Sequence, residues 1–444
     1  MSRLRNYWRA RWKDWLLLLG VLLVFVAADR LLKLYYYSKS YSHYEVGAVY
    51  WEDSKTALMF APDRYLFWRY KPHIAIKLSN DIEEYSLYRI GTKPVRHAIT
   101  VETNSRGYRG PEFSCAKAEG TFRIFVLGDS RSMAEGVTNQ QRYSEQLERL
   151  LNAGGAGPRY EVINMAVDGY SSYQGRVQVE RELVHCEPDM ITVMFGINDQ
   201  DWDLDIRDED RAATFDSPLV SISQWTNRSM LVYFVRFQLL QLKGLLFGKT
   251  ERTPTLATSP EDRNRRVTLE DYERNLSRIA ELGQQHGFTP LFLIVPNSPY
   301  SWYPELYQQD PAVLPADAEE RFARIKSLLA RRSYVEAAQN LEALLAEYPG
   351  LPSVRHSLAR CYQQLDRWEE AHRHFVMKND QIVFFGYEAI VRKVAAEHAV
   401  PLVDRTAQFT EMRRELMYVD DMHPNDLEHR ILAEALHARI VSPR

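Results

Sequence analysis

From residue 121 onward, strand-length apolar runs alternate with helix-length amphipathic stretches, and this alternation constrains the fold more than any other feature of the chain. The runs cover 122–127, 160–166, 190–195, 289–295 and 400–403, with helical periodicity between them at 140–151 and 269–286. A strand that is apolar at nearly every position is covered on both faces, and the intervening helices supply the crossovers that parallel pairing needs. The expectation is an α/β domain around a parallel sheet, with ligands bound at the carboxyl ends of the strands. With 444 residues, more than one folding unit is expected.

One segment breaks the alternation. Residues 319–376 carry four helical stretches and no strand. The series Tyr334, Ala337, Leu341 recurs as Trp368, Ala371, Phe375 at an offset of 34 residues. That period resembles the tetratricopeptide repeat, and two such units are too few to stand without packing on a host domain. The alternative is a plain helical hairpin. Residues 38–120 are rich in tyrosine and turn residues and read as a β-rich lead-in. The resulting division is 1–37, a basic tail and membrane anchor; 38–120, the lead-in; 121–318 and 377–444, the two parts of the α/β domain; and 319–376, the helical insertion.

The net charge of −3 is unevenly placed: Arg3, Arg5, Arg9, Arg11 and Lys13 against Asp14 give +4, leaving −7 for the rest. A folded body without a basic excess argues against nucleic-acid binding. Behind the basic cluster, residues 15–28 are uninterruptedly apolar. Fourteen residues rise only about 21 Å, short of the roughly 30 Å hydrocarbon core, but the helix can continue through Leu31, Leu32 and Leu34. Trp12 and Trp15 at one end and Tyr35, Tyr36 and Tyr37 at the other suit interfacial belts. Positive charge ahead of the segment predicts a single-pass anchor in the inner (cytoplasmic) membrane, with the catalytic domain periplasmic or extracellular. A cleavable signal peptide is the rival, since Val26-Ala27-Ala28 is an acceptable cleavage site. Three cysteines cannot form a disulfide scaffold; one bridge such as Cys115 to Cys186 is compatible with the count, but spacing alone does not single it out.

Four short motifs fall at strand or helix edges. Gly128-Asp129-Ser130 follows the first run, and Asn164-Met165-Ala166-Val167-Asp168-Gly169 closes the second. Gly196-Ile197-Asn198-Asp199 closes the third, and Asp420-Asp421-Met422-His423-Pro424 precedes the last helix. Singly each has an ordinary reading as a turn or cap. A serine hydroxyl becomes a useful nucleophile when a histidine takes its proton, and the imidazole needs an acceptor on its other nitrogen. Asp420, three residues before His423, has that reach, with Asp421 as its competitor. The Ser130 and Gly169 N–H groups and the Asn198 amide are suitable oxyanion donors, while Asp199 reads as structural. Asn425 with Glu428 resembles a capping pair that fixes the loop bearing the histidine.

In this order the motifs resemble those of the SGNH hydrolases, the GDSL esterase family, over about 121–310 and 377–444. Asn104-Ser105-Arg106-Gly107-Tyr108-Arg109 resembles the stretch preceding the nucleophile in membrane-anchored members. The resemblance implies a three-layer α/β/α, flavodoxin-like parallel sheet, here with an inserted helical repeat pair and an N-terminal transmembrane helix. It also implies a triad of Ser130, Asp420 and His423, an oxyanion hole of Ser130, Gly169 and Asn198, and no cofactor or metal. Arg131 stands where leucine is usual, and a side chain directed into the pocket there would bear on substrate preference.

Other motifs fail on spacing. Gly248-Lys249-Thr250 lacks the glycine placement and the strand of a phosphate loop, and Ile206 replaces the glycine that a calcium loop beginning at Asp201 requires. Trp202, Trp225, Tyr300, Trp302 and Tyr303, expected in loops at strand ends, are of a type that stacks on sugar rings, although rim packing serves equally. The expected reaction is acyl transfer through a Ser130 ester: an esterase with water, an O-acyltransferase with a sugar hydroxyl. Anchored members resembling this chain act in O-acetylation or deacetylation of cell-envelope polysaccharides, commonly beside a membrane-bound O-acyltransferase. That makes an acylated glycan the expected substrate, and such an acyltransferase or an envelope-assembly protein the expected partner of the repeats. Two other readings remain open at this point: a catalytically silent scaffold acting through its repeats, and a lipid esterase whose Leu-rich stretch 230–247 serves as a lid.

Overall fold

A computed structural model describes residues 2–41, 58–79, 98–154, 157–199, 207–247, 265–295, 316–349, 352–365, 367, 370, 374, 384–406 and 423–441. The chain forms two compact units: Met1–Asn80 with Ala98–Glu112 and Arg211–Thr255, and Asp81–His97 with Phe113–Asp210 and Leu256–Arg444.

The second unit is built on five parallel strands: β1 (Thr121–Gly128), β2 (Arg159–Asn164), β3 (Met190–Met194), β4 (Thr289–Ile294) and β5 (Leu402–Asp404). Their spatial order is β5-β4-β3-β1-β2, and each neighbouring pair is parallel, as the alternation of runs and helices predicts. Chain order reverses direction at β1, so the carboxyl ends of β1 and β3 flank a topological switch point. Side chains alternate between the faces. Ile124 and Val126 of β1, with Met190, Met194, Leu291 and Leu293, pack against Leu147 and Leu151 of the helix Tyr143–Ala153 and Leu432 and Leu436 of Asp426–Val441. The other face carries Ser172–Arg181, Leu269–His286 and Phe384–Glu397. Leu269–His286 buries Tyr272, Leu276, Ile279 and Gly283, a spacing of four, three and four residues that makes one helical stripe. Thr268 Oγ1 accepts from the Asp271 N–H at its start (3.1 Å), and Gly287, at φ +76°, ends it.

The same unit holds the helices Ala316–Ala330, Tyr334–Glu347 and Pro352–Gln364, which share a core of Phe322, Ile325, Ala337, Leu341, Leu344 and Leu358. Trp368, Ala371 and Phe375, on which the 34-residue period depends, lie outside the described residues. Cys115 and Cys186 form a disulfide across 71 residues, leaving Cys361 as a buried thiol.

In the first unit, one helix spans Ser2–Tyr37, and Trp12–Tyr37 within it is long and apolar enough to cross a membrane. A hairpin of Phe60–Asp63 and Phe67–Tyr70 closes over Asp63, whose Oδ1 accepts from the N–H groups of Tyr65 and Leu66 (2.9 Å each). Ala98–Glu102 pairs antiparallel with Ala75–Ser79, which also pairs parallel with Ser40–Tyr41. The Asn104–Arg109 motif is a turn: Asn104 Oδ1 accepts from Arg106 N and Tyr108 N (3.0 Å each). Gly107 sits at φ +81°, and a Cβ there would lie 2.3 Å from the Tyr70 carbonyl oxygen, so only glycine fits. The segment Arg211–Thr255 belongs to this unit, whereas sequence reading assigned it to the α/β domain. The cause is its apolar helix Met230–Phe247, which packs against the N-terminal helix with Tyr233 edge-on to Tyr36 (5.3 Å).

Candidate active site

The nucleophile turn begins where β1 ends. A Cβ on Gly128 would lie 2.3 Å from Ser132 Oγ and 2.8 Å from the Met194 carbonyl oxygen, so glycine lets the chain turn tightly against β3. Asp129 adopts an extended conformation and caps the one-turn helix Ser130–Met133, its Oδ1 accepting from Arg131 N at 2.9 Å. From below, Asn164 Nδ2 donates to the Ser132 carbonyl (2.8 Å) and Tyr143 OH donates to Ser132 Oγ (3.0 Å). Ser130 therefore leads a buried, hydrogen-bonded turn rather than a free loop.

Arg131, the residue that stands where leucine is usual, is engaged by its own helix cap. Its guanidinium folds back onto Asp129, with Nη2 2.9 Å from Oδ2 and Nε 3.2 Å from Oδ1, and both side chains are buried. A cap carboxylate already fixed by the helix N-terminus attracts the cation more strongly than solvent at the rim does.

His423 lies just before Asp426–Val441. Asn425 Oδ1 caps that helix, accepting from Leu427 N (3.0 Å) and Glu428 N (3.2 Å). Glu428 instead turns to Arg405 (3.1 Å), a fully buried pair that ties the helix to the end of β5. Burial nonetheless pushes the Glu428 carboxyl up from its ordinary value, against the pull of Arg405. The result places His423 Nε2 2.8 Å from Ser130 Oγ, across 293 residues of sequence. The same Nε2 is 3.3 Å from Glu135 Oε2, a buried carboxylate absent from the sequence reading. Glu135 arrives there because Ala134 and Gly136 take positive φ (69° and 88°), doubling the chain back so that Glu135 N donates to the Ser130 carbonyl (3.1 Å). Asp420 and Asp421, the two candidates for the other imidazole nitrogen, lie outside the described residues.

The segment after β2 is drawn to the nucleophile by Val167 N donating to the Gly128 carbonyl (3.2 Å). Gly169 follows at φ +73°, a left-handed turn position. Its carbonyl accepts from Arg266 Nη1 (2.8 Å), and Arg266 also pairs with Asp208 (2.9 Å) and Gln174 (3.0 Å). Asn198 Nδ2 donates to the neighbouring Tyr170 carbonyl (3.0 Å), so the two expected oxyanion donors occupy adjoining turns. Asp199 holds the Asn198 turn from inside, its oxygens accepting from Ser172 N (2.9 Å) and Gly196 N (3.0 Å). Complete burial raises its carboxyl to about 6, which fits a structural role. Of the candidate sugar-stacking aromatics, Trp225 is on the helix Pro218–Thr226 of the first unit rather than in a loop; Trp202, Tyr300, Trp302 and Tyr303 lie outside the described residues.

The parallel sheet is that of the SGNH fold, and the Ser130–His423 contact is that of a serine nucleophile with its base, the class of a serine hydrolase. Residues 126–431, more than half of the chain, match the model of the GDSL-like Lipase/Acylhydrolase family, and the chain belongs to that family. Solved structures to which the chain is similar include the acetyl xylan esterase AlAXEase (11% identity, 72% of this chain and 100% of that one, TM-score 0.36). TesA (14%, 72% and 98%, TM-score 0.35) and the acetylxylan esterase Axe2 from Geobacillus stearothermophilus (14%, 72% and 95%, TM-score 0.34) are two others. No curated protein matches the chain.

Proposed function

We propose that the protein is a membrane-anchored esterase or O-acyltransferase that removes or transfers acetyl groups on a cell-envelope polysaccharide. The single observation that carries the chemistry is the 2.8 Å approach of His423 Nε2 to Ser130 Oγ, at the carboxyl end of a parallel sheet. Ser130 Oγ bonds to the acyl carbon as its proton passes to His423 Nε2. The ester C–O bond then breaks, and the departing alcohol takes that proton. Water or a sugar hydroxyl repeats the sequence in reverse and frees the serine. Asp420 holds the imidazole, and Ser130 N–H, Gly169 N–H and the Asn198 amide receive the oxyanion; each such donor lowers the barrier by about 3 kcal/mol.

The polysaccharide target is supported by the apolar N-terminal helix together with the resemblance to anchored members, and the helices between 316 and 364 are a candidate docking element for an acyltransferase partner. The test is incubation of the full chain in detergent with acetylated envelope glycans, following acetate release and acetate transfer to unacetylated acceptor. Release or transfer that Ser130→Ala abolishes supports the reading; neither, from a sample that hydrolyses p-nitrophenyl acetate, removes the glycan assignment.

A further inference from the structure

The helix Pro218–Thr226 turns its largest apolar side chains outward. Its inward side sets half-buried Val220 among polar contacts: Gln224 Nε2 donates to Asp63 Oδ2 (3.0 Å), and the Ser223 carbonyl and Oγ accept from Asn227 Nδ2 (2.8 and 3.1 Å). Its outward side carries Leu219, Ile222 and Trp225, three residues apart and 73%, 58% and 72% exposed. Three large apolar side chains aligned on one face mark a surface that something else covers.

The neighbouring chain indicates what covers it. Three residues beyond Thr226, Ser229 Oγ donates to Asp29 Oδ1 (2.7 Å), and Leu231 N donates to the same oxygen (3.1 Å). Asp29 belongs to the carboxyl-terminal third of the apolar span Trp12–Tyr37, so this helix is tied to the end of that span facing away from the basic tail. Exposed Arg228 follows the apolar face, where it would meet lipid phosphates. A tryptophan-bearing apolar face with a cation at its edge, joined to the end of a spanning helix, has the composition of an element lying in the headgroup–acyl boundary.

We propose that Pro218–Thr226 is an interfacial membrane helix that inserts Leu219, Ile222 and Trp225 into the bilayer held by Trp12–Tyr37. The proposal rests on the reading of the N-terminal helix as an anchor. A spanning helix alone leaves its unit free to rotate and tilt; a second contact fixes the orientation of the unit to which both belong.

The experiment uses the full chain reconstituted into phosphatidylethanolamine–phosphatidylglycerol vesicles, with nitroxides at Ile222→Cys, at Trp225→Cys and, for the anchor, at Leu22→Cys. Wild type, whose remaining free thiol Cys361 is buried, serves as the blank, and hydrolysis of p-nitrophenyl acetate checks that each variant is folded. The accessibility of each label to oxygen, which partitions into lipid, is compared with that to a water-soluble nickel chelate. Oxygen should exceed nickel at all three sites, most strongly at Leu22. Nickel dominating at Ile222 and Trp225 while Leu22 lies in lipid would overturn the proposal and leave the anchor standing. Nickel dominating at Leu22 would remove the anchor reading and the proposal with it. Immobile labels at Ile222 and Trp225 shielded from both reagents would mean that protein covers the face, which also overturns it.

Discussion

Arg131→Leu is the substitution that best separates a supporting role for this arginine from a substrate-contacting one. Among the described residues, the donors to the Asp129 carboxylate all come from Arg131: its backbone N–H, Nε and Nη2. The leucine variant keeps the first and loses the other two, stranding a carboxylate that is 0% exposed. Breaking one side of a buried pair typically costs about 3–5 kcal/mol, because the remaining charge is left uncompensated. The companion variant Asp129→Asn/Arg131→Leu removes that charge while keeping an oxygen that can cap the turn, so it should recover most of the loss. Urea unfolding of the full chain measures stability, and kcat/KM for p-nitrophenyl acetate measures the nucleophile turn. Arg131→Leu within about 0.5 kcal/mol of wild type, or a double variant as unstable as the single one, would refute the argument. A change confined to KM would place Arg131 in the pocket after all.

Gly128→Ala should displace the nucleophile turn, since its Cβ meets Ser132 Oγ and the Met194 carbonyl oxygen, and kcat should fall about 100-fold. Glu135→Gln removes a negative charge 3.3 Å from His423 Nε2, which favours the imidazolium, so the acidic limb of the kcat/KM profile should move to lower pH; an unmoved limb would show that the carboxylate is uncharged there. Reduction of Cys115–Cys186 opens a 71-residue loop and should cost about 4 kcal/mol, read from urea unfolding with and without reductant. Asp199 has a folded value near 6 against 3.8 when exposed, so the folded state binds the proton more tightly. The stability of wild type relative to Asp199→Asn should therefore rise by up to about 3 kcal/mol as pH falls from 7 to 4; a flat difference would contradict the burial argument.

Much of this was legible in the sequence because apolar period and strand length are local properties. The five runs became the five strands, and Leu269–His286 emerged with the expected bounds, since its stripe and both caps are written in consecutive residues. Ser130 and His423 were found by motif and are brought together by the sheet. What could not be read depends on distant or backbone-directed geometry. Glu135 looks like a surface acid until two positive-φ residues turn it inward. The ion pair of Arg131 with Asp129 is a matter of rotamer, not spacing. The transfer of Arg211–Thr255 to the first unit arises from packing against a helix some 200 residues earlier, which no local pattern records.

The central claim is that His423 activates Ser130. Intact mass of the full chain after treatment with a serine-reactive fluorophosphonate, beside a folded Ser130→Ala control, tests it directly. The account predicts one adduct on the native protein and none on the control. No adduct on a folded native sample, or equal labelling of both proteins, would contradict it.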